Sequence, residues 1–189
     1  MQELAFKQSQ SSARDGLLCF LHGLRLIERP QLIRSMLDVG CGAGHFVALA
    51  DMIGIQSTGW DICAVTRPVG ENSATFCVDL TDPQKHPEVD LVLCMEVAEH
   101  LPAEAADTLV ANCVNNLKRK GLLLFSAATP GQGGAGHINE QPEHYWKYKL
   151  ENSGMHLNQL YTTTMRSVWS SLAPNAWWYG KNIMVWEKM

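Results

Sequence analysis

Leu37-Asp38-Val39-Gly40-Cys41-Gly42-Ala43-Gly44 sets three glycines at alternate positions between a strand-like run, Ser35 to Val39, and a helical run whose apolar face is Phe46, Leu49, Ala50 and Ile53. Glycine admits positive φ and carries no Cβ, so a ligand can lie against the main chain here, with the following helix offering amides to an anionic group. A dinucleotide turn wants G-x-G-x-x-G, and His45 stands where its third glycine would fall. No Lys-Ser or Lys-Thr pair follows, so a phosphate loop fits less well still. A nucleoside ligand with a small anionic end remains.

Outward from the turn, further strands are expected at Ser57 to Asp61, Ala74 to Val78, Val89 to Met95 and Gly121 to Ala127, with helices or turns between them. That alternation predicts a parallel sheet flanked by helices, a doubly wound α/β sandwich. Asp61 ends the second strand, where an acid in such sheets accepts the hydroxyls of a ribose. Asp79 ends the third, where its side chain and the Leu80 amide could read the amino edge of an adenine. Taken singly, each acid also reads as a turn Asp capping a strand.

Between the fourth and fifth strands, Pro102 opens a helix with Ala106, Leu109, Val110, Cys113, Val114 and Leu117 in one stripe. Lys118, Arg119 and Lys120 are read as closing it, opposing the helix dipole. A Gly-rich loop from Thr129 leads to another helix near Pro142, and loops of this length in small domains are usually functional. The tail is read as a weak strand near His156 to Tyr161, a polar stretch, and a final strand over Asn182 to Glu187. Ahead of the first strand, Leu17, Leu21, Leu24 and Ile27 predict a short helix stopped by Pro30, after a loose leader over 1–15.

The length of 189 residues suits one domain. It divides into a leader and helix over 1–34, a cofactor-binding core over 35–130, and a substrate loop with C-terminal strands over 131–189. Fifteen basic against nineteen acidic residues give a net charge of −4, with no pull toward nucleic acid. Six cysteines, no two closer than fourteen residues, lack redox or zinc-ribbon spacing and read as reduced thiols of the cytoplasm. No membrane span or export signal is expected.

Together, Asp38-x-Gly40-x-Gly42-x-Gly44, Gly59-Trp60-Asp61-Ile62 and Val78-Asp79-Leu80 resemble the class I S-adenosylmethionine-dependent methyltransferases over roughly residues 35 to 130. The resemblance implies a seven-stranded sheet whose last strand is antiparallel. It implies that Asp38, Gly40, Cys41, Gly42 and Gly44 meet the methionine part of S-adenosylmethionine. Asp61 and Ile62 would then hold the ribose, Asp79 and Leu80 the adenine, and Met95 would also face the cofactor.

Glu96-Val97-Ala98-Glu99-His100-Leu101-Pro102 looks like the E-V-x-E-H-x-P stretch of ubiquinone-type O-methyltransferases. It also resembles a segment of small-RNA 2′-O-methyltransferases, in which both acids, the His and a later His hold a divalent ion. That resemblance implies a metal set of Glu96, Glu99, His100 and His137. Transfer to a hydroxyl also needs a proton acceptor, for which His137 and His100 are the candidates. The expected acceptor is a small sugar, lipid or aromatic hydroxyl, and the product S-adenosylhomocysteine. A silent cofactor-binding subunit and a metal-dependent RNA methyltransferase are the alternatives. Trp169, Trp177, Trp178 and Tyr179 are read mainly as core, the remainder as a platform for a flat or saccharide ring.

Overall fold

The computed structural model describes residues 33–62, 67–68 and 72–189, together with residues 19, 22, 23, 25 and 26. Those five are helical and belong to the helix expected from Leu17; its other residues and the leader lie outside the described residues. The strands are β1 (Ser35–Val39), β2 (Gln56–Asp61), β3 (Arg67–Pro68), β4 (Ala74–Cys77), β5 (Val89–Met95), β6 (Leu117–Ser126), β7 (Met155–Leu157) and β8 (Met184–Lys188). The helices are α1 (His45–Met52), α2 (Ala106–Val114), α3 (Glu143–Asn152), α4 (Gln159–Leu172) and α5 (Trp177–Asn182).

The sheet order is β3-β4-β2-β1-β5-β6-β8-β7. The expected seven strands are present, and β8, the last, runs antiparallel to both its neighbours. Two-residue β3 is an unforeseen addition that pairs antiparallel with β4 at the edge. β5, and β6 from Gly121 onward, are buried almost without a break, as central strands covered on both faces must be.

Successive side chains of a strand face opposite ways, so the sheet has two cores. Leu37, Val92, Cys94, Leu123 and Phe125 pack on one side, where Leu109 and Cys113 of α2 and Trp146 of α3 meet them. Met36, Leu91, Leu93, Leu122 and Leu124 pack on the other, under Tyr161, Met165 and Trp169 of α4. The glycine turn lies at the C-terminal ends of the parallel strands, where open α/β sheets bind ligands.

Several expected boundaries are corrected. Lys118, Arg119 and Lys120 do not end a helix: α2 stops at Val114, and the triplet lies in β6 with its side chains exposed. Buried Leu117 pairs with Val89, a shift in the β5–β6 register follows, and Lys120 absorbs it at φ 63°. Lys118 meets Asp90 at 2.8 Å.

In the tail, the strand expected to Tyr161 ends at Leu157, because Asn158 caps α4 by accepting the Tyr161 N–H at 3.0 Å. The polar stretch beyond is a 14-residue helix whose buried positions Tyr161, Met165, Val168 and Trp169 follow helical spacing. Asn182 belongs to α5, and the final strand starts at Met184.

Candidate active site

After β1 the chain turns through Gly40, Gly42 and Gly44 at φ 84°, 51° and 78°. The Gly40 and Cys41 amides both donate to the Trp60 carbonyl, at 2.7 and 3.0 Å, which ties the turn to β2. A Cβ on Gly40 would stand 2.2 Å from Val97 Cγ2, whereas one on Gly42 would meet nothing within 4 Å. Gly40 is therefore required by packing, and Gly42 faces open space.

Gly40, Asp61, Ile62, Asp79 and Leu80 line one cavity of about 550 Å³, which Val97, His100 and Leu101 close. Asp61 Oδ2 accepts the Gly42 N–H at 2.9 Å, holding the acid against the turn. Asp79 Oδ1 accepts the Thr81 N–H at 2.9 Å and its hydroxyl at 2.7 Å. These bonds lower its pKa, so the strand-end turn and the cavity use one carboxylate.

Asp38, Cys41, Gly42, Gly44 and Met95, also expected at the cofactor, do not line this cavity. Cys41 packs beneath the turn, where its Sγ would be 2.7 Å from a Cβ on Gly59; burial raises its thiol pKa. Gly44 precedes α1 and donates to the Cys41 carbonyl at 2.8 Å. Met95 shares its strand face with Leu91 and Leu93 and is buried in the second core, its sulfur accepting from Ser126 Oγ at 3.8 Å.

Asp38 is 2% exposed and its Oδ2 has no hydrogen-bond partner. Burial, reinforced by the Asp61 charge, pushes its carboxyl up to about 7. An orphaned acid beside a glycine turn that faces open space fits a ligand carrying an ammonium group, as S-adenosylmethionine does.

A second cavity, of about 630 Å³, is lined by Glu96, Glu99, His100, residues 132–135, His137, Trp177 and Trp178. Glu96 and His100 belong to both cavities. Glu96 takes φ 56°, uncommon for a residue with a side chain, and its N–H donates to the Ser126 carbonyl at 2.9 Å and to Ser126 Oγ at 3.1 Å. Its carboxylate accepts from Gln132 Nε2 at 3.1 Å and from Asn182 Nδ2 at 3.2 Å. Gln132 and Asn182, to which the sequence assigns no role at the site, thus fix Glu96 across 36 and 86 residues of chain.

Glu99, His100 and His137 offer ligand atoms within 4.8 Å of one another, and Glu96 is not in that group. His137 Nε2 lies 3.9 Å from Glu99 Oε1, and the imidazoles of His100 and His137 meet edge to face with centroids 4.9 Å apart. His100 Nδ1 contacts the Gly136 carbonyl at 3.1 Å and His137 Nδ1 contacts Glu140 Oε1 at 2.8 Å. Glu99 is fully buried with neither oxygen hydrogen-bonded, and burial with the Glu96 charge raises it to about 8. Two imidazoles anchored through Nδ1 beside an orphaned carboxylate fit a divalent ion, the anchored nitrogens leaving Nε2 for the metal.

Of the tail aromatics, Trp169 is buried as expected, while Trp177 and Trp178 form an edge-to-face corner in the second cavity, Trp177 being 50% exposed. A six-residue helix carries both, and no period in the sequence marks it.

A model of the methyltransferase domain family matches residues 37–125. A ubiquinone biosynthesis O-methyltransferase of Glaesserella parasuis is 32% identical over 110 residues, which cover 49% of this chain and 44% of that protein. One of Neisseria meningitidis is 30% identical over 125 residues, covering 59% and 47%. The chain thus matches less than half the length of these curated relatives. A SAM-dependent methyltransferase from Archaeoglobus fulgidus shares the fold with a TM-score of 0.55 and 20% identity, over 90% of this chain and 94% of that one. By its glycine turn, its strand order and the sequence match over residues 37–125, the chain is similar to the class I S-adenosylmethionine-dependent methyltransferases over its cofactor half.

Proposed function

We propose that the chain transfers a methyl group from S-adenosylmethionine to a hydroxyl of a small-molecule acceptor, leaving S-adenosylhomocysteine. The observation that carries this reading is the junction of the two cavities at Glu96 and His100. Bound at the glycine turn, the cofactor supplies a sulfonium methyl, which an acceptor oxygen must approach in line. Asp61, Asp79 and the open face of Gly42 bind and orient at the first cavity, and Asp38 takes the ammonium end.

At the second cavity, His137 is the group that accepts the hydroxyl proton, at Nε2, and His100 stands beside it as the second imidazole. Among the described residues lining that cavity the only carboxylates are Glu96 and Glu99, and there is no Lys or Arg. Such a wall disfavours phosphate and carboxylate acceptors and suits a neutral ring seated against Trp177 and Trp178. Nucleic acid is disfavoured on the same ground.

The orphaned Glu99 favours a second reading of the same groups, in which Glu99, His100 and His137 hold a divalent ion. Such an ion would bind the acceptor hydroxyl and lower its pKa. A cytoplasmic setting agrees with Cys41, Cys94 and Cys113 being thiols, and no described helix is long and apolar enough to cross a membrane.

The test is transfer of labelled methyl to a panel of neutral hydroxylated rings, saccharides, and their phosphorylated or carboxylated analogues, with chelator or added magnesium. Labelling of neutral acceptors alone is expected. Labelling confined to the anionic analogues contradicts the acceptor class, and turnover that chelator leaves intact removes the ion.

A further inference from the structure

The loop over 129–142 holds four glycines with positive φ, at 131, 133, 134 and 136. Its course is organised around one side chain that lines neither cavity. Glu140 Oε2 accepts the Gly131 N–H at 2.8 Å, and Oε1 accepts the Gly133 N–H at 2.7 Å. The same Oε1 lies 2.8 Å from His137 Nδ1. Two inward-turned amides and an imidazole therefore converge on one carboxylate, closing residues 131–140 into a ring.

That ring is then docked on the segment after β5. The Ile138 and Asn139 amides both donate to the Glu99 carbonyl, at 2.9 and 3.0 Å, and Gln132, between the two turned glycines, reaches Glu96. The His137 ring packs directly on Gly134, where an added Cβ would stand 2.3 Å from Nε2, so the position must stay glycine for the ring to lie there. A carboxylate accepts and never donates, so the contact with Glu140 requires the proton on Nδ1 and puts the lone pair on Nε2, the nitrogen near Glu99.

From this geometry we infer that Glu140 is the positioning residue of the acceptor site: it fixes the tautomer and orientation of His137 and folds the glycine loop into the wall that carries it. The inference rests on the reading of His137 as the acceptor-side group. Because the carboxylate holds His137 through the nitrogen away from Glu99, it serves His137 whether Nε2 takes a proton or binds an ion.

Its test begins with long-range proton–nitrogen correlation spectra of the imidazoles, recorded without cofactor, acceptor or metal, about two pH units above the ordinary imidazole value of ~6.5. Wild-type His137 should carry its proton on Nδ1. E140A should move it to Nε2, the tautomer free imidazole prefers, and E140Q, whose amide oxygen can still accept, should retain Nδ1–H. A wild-type His137 protonated on Nε2, or a tautomer unmoved in folded E140A, overturns the inference.

The second arm is kinetic. E140A should lower kcat roughly 10–100-fold with the Kd of S-adenosylhomocysteine changed less than about twofold. Added to H137A it should cost less than about twofold more, because the two act as one unit. Equal fold losses in both backgrounds would make Glu140 a loop staple without a role through His137. If the wild-type chain transfers no methyl group, the functional reading falls while the tautomer spectra still decide the role of Glu140.

Discussion

The cavity at the glycine turn takes its polar groups from the ends of neighbouring strands, Gly40 after β1, Asp61 closing β2 and Asp79 just beyond β4. The cavity beside it is assembled from a glycine loop, the segment after β5 and a short helix near the C-terminus. Sheet pairing fixes the first, since β1, β2 and β4 are locked in parallel register. A few side-chain bonds fix the second, chiefly those of Gln132, Asn182 and Glu140. One fold can therefore keep its cofactor site while the loops around its acceptor site vary. Damage to the first cavity should cost fold and cofactor, and damage to the second should cost turnover with the fold intact.

Gly40→Ala should have the largest effect. The left-handed backbone costs about 1–2 kcal/mol, and the overlap with Val97 a further ~1–3 kcal/mol. The thermal midpoint should fall by about 2–4 °C for each kcal/mol, with cofactor affinity lost alongside. An unchanged midpoint would show that the turn is less rigid than the sheet that bears it.

His137→Ala comes next and sharpens the contrast from the other side. Turnover should drop by about a hundredfold or more, with the affinity for S-adenosylhomocysteine and the melting temperature unmoved. Equal loss of affinity and turnover would transfer His137 to the cofactor cavity.

A smaller effect separates the two acids buried at this end of the sheet from the exposed ones. Asp38 is held at about 7 against an ordinary 3.8, so between those values the folded chain keeps a proton that the unfolded chain releases. That contribution to stability is complete below the lower value and is lost as pH rises toward about 7. Glu99 acts with the same sign between 4.5 and about 8. Without cofactor or metal, the melting temperature should decline from pH 5 to 8, and Asp38→Asn should flatten the decline. A wild-type slope of the opposite sign would mean that Asp38 is paired in solution.

Trp177→Ala should do least. Loss of one ring of the corner is worth about 0.5–1.5 kcal/mol, a rise of a few-fold in acceptor KM with kcat intact. A fall in kcat alone would give Trp177 a part in alignment.

The first cavity was legible in the sequence because its groups sit at strand ends, where a period of two runs into glycine and acid. Alternation along β5 places Met95, expected at the cofactor, with Leu91 and Leu93 in the second core. The 14-residue α4 was missed because Thr and Ser dilute its apolar stripe, and the basic triplet because a register shift and a positive φ have no compositional mark. In the second cavity, Glu99, His100 and His137 were read from a motif. Their supports were not, since Asn182 meets Glu96 across 86 residues and no local pattern encodes such a contact. Glu140, only three residues from His137, was within reach, and the glycines that wrap it were the signal.

The central claim is that the cavity at the glycine turn holds S-adenosylmethionine through Asp61. Titration calorimetry of S-adenosylhomocysteine into the wild-type chain and into Asp61→Ala tests it most directly. Micromolar, one-to-one binding to the wild type, weakened at least about tenfold by a substitution that removes ~1.5–3 kcal/mol of charged hydrogen bonding, is the predicted result. No binding to a folded wild-type chain, or equal binding to both, would contradict it.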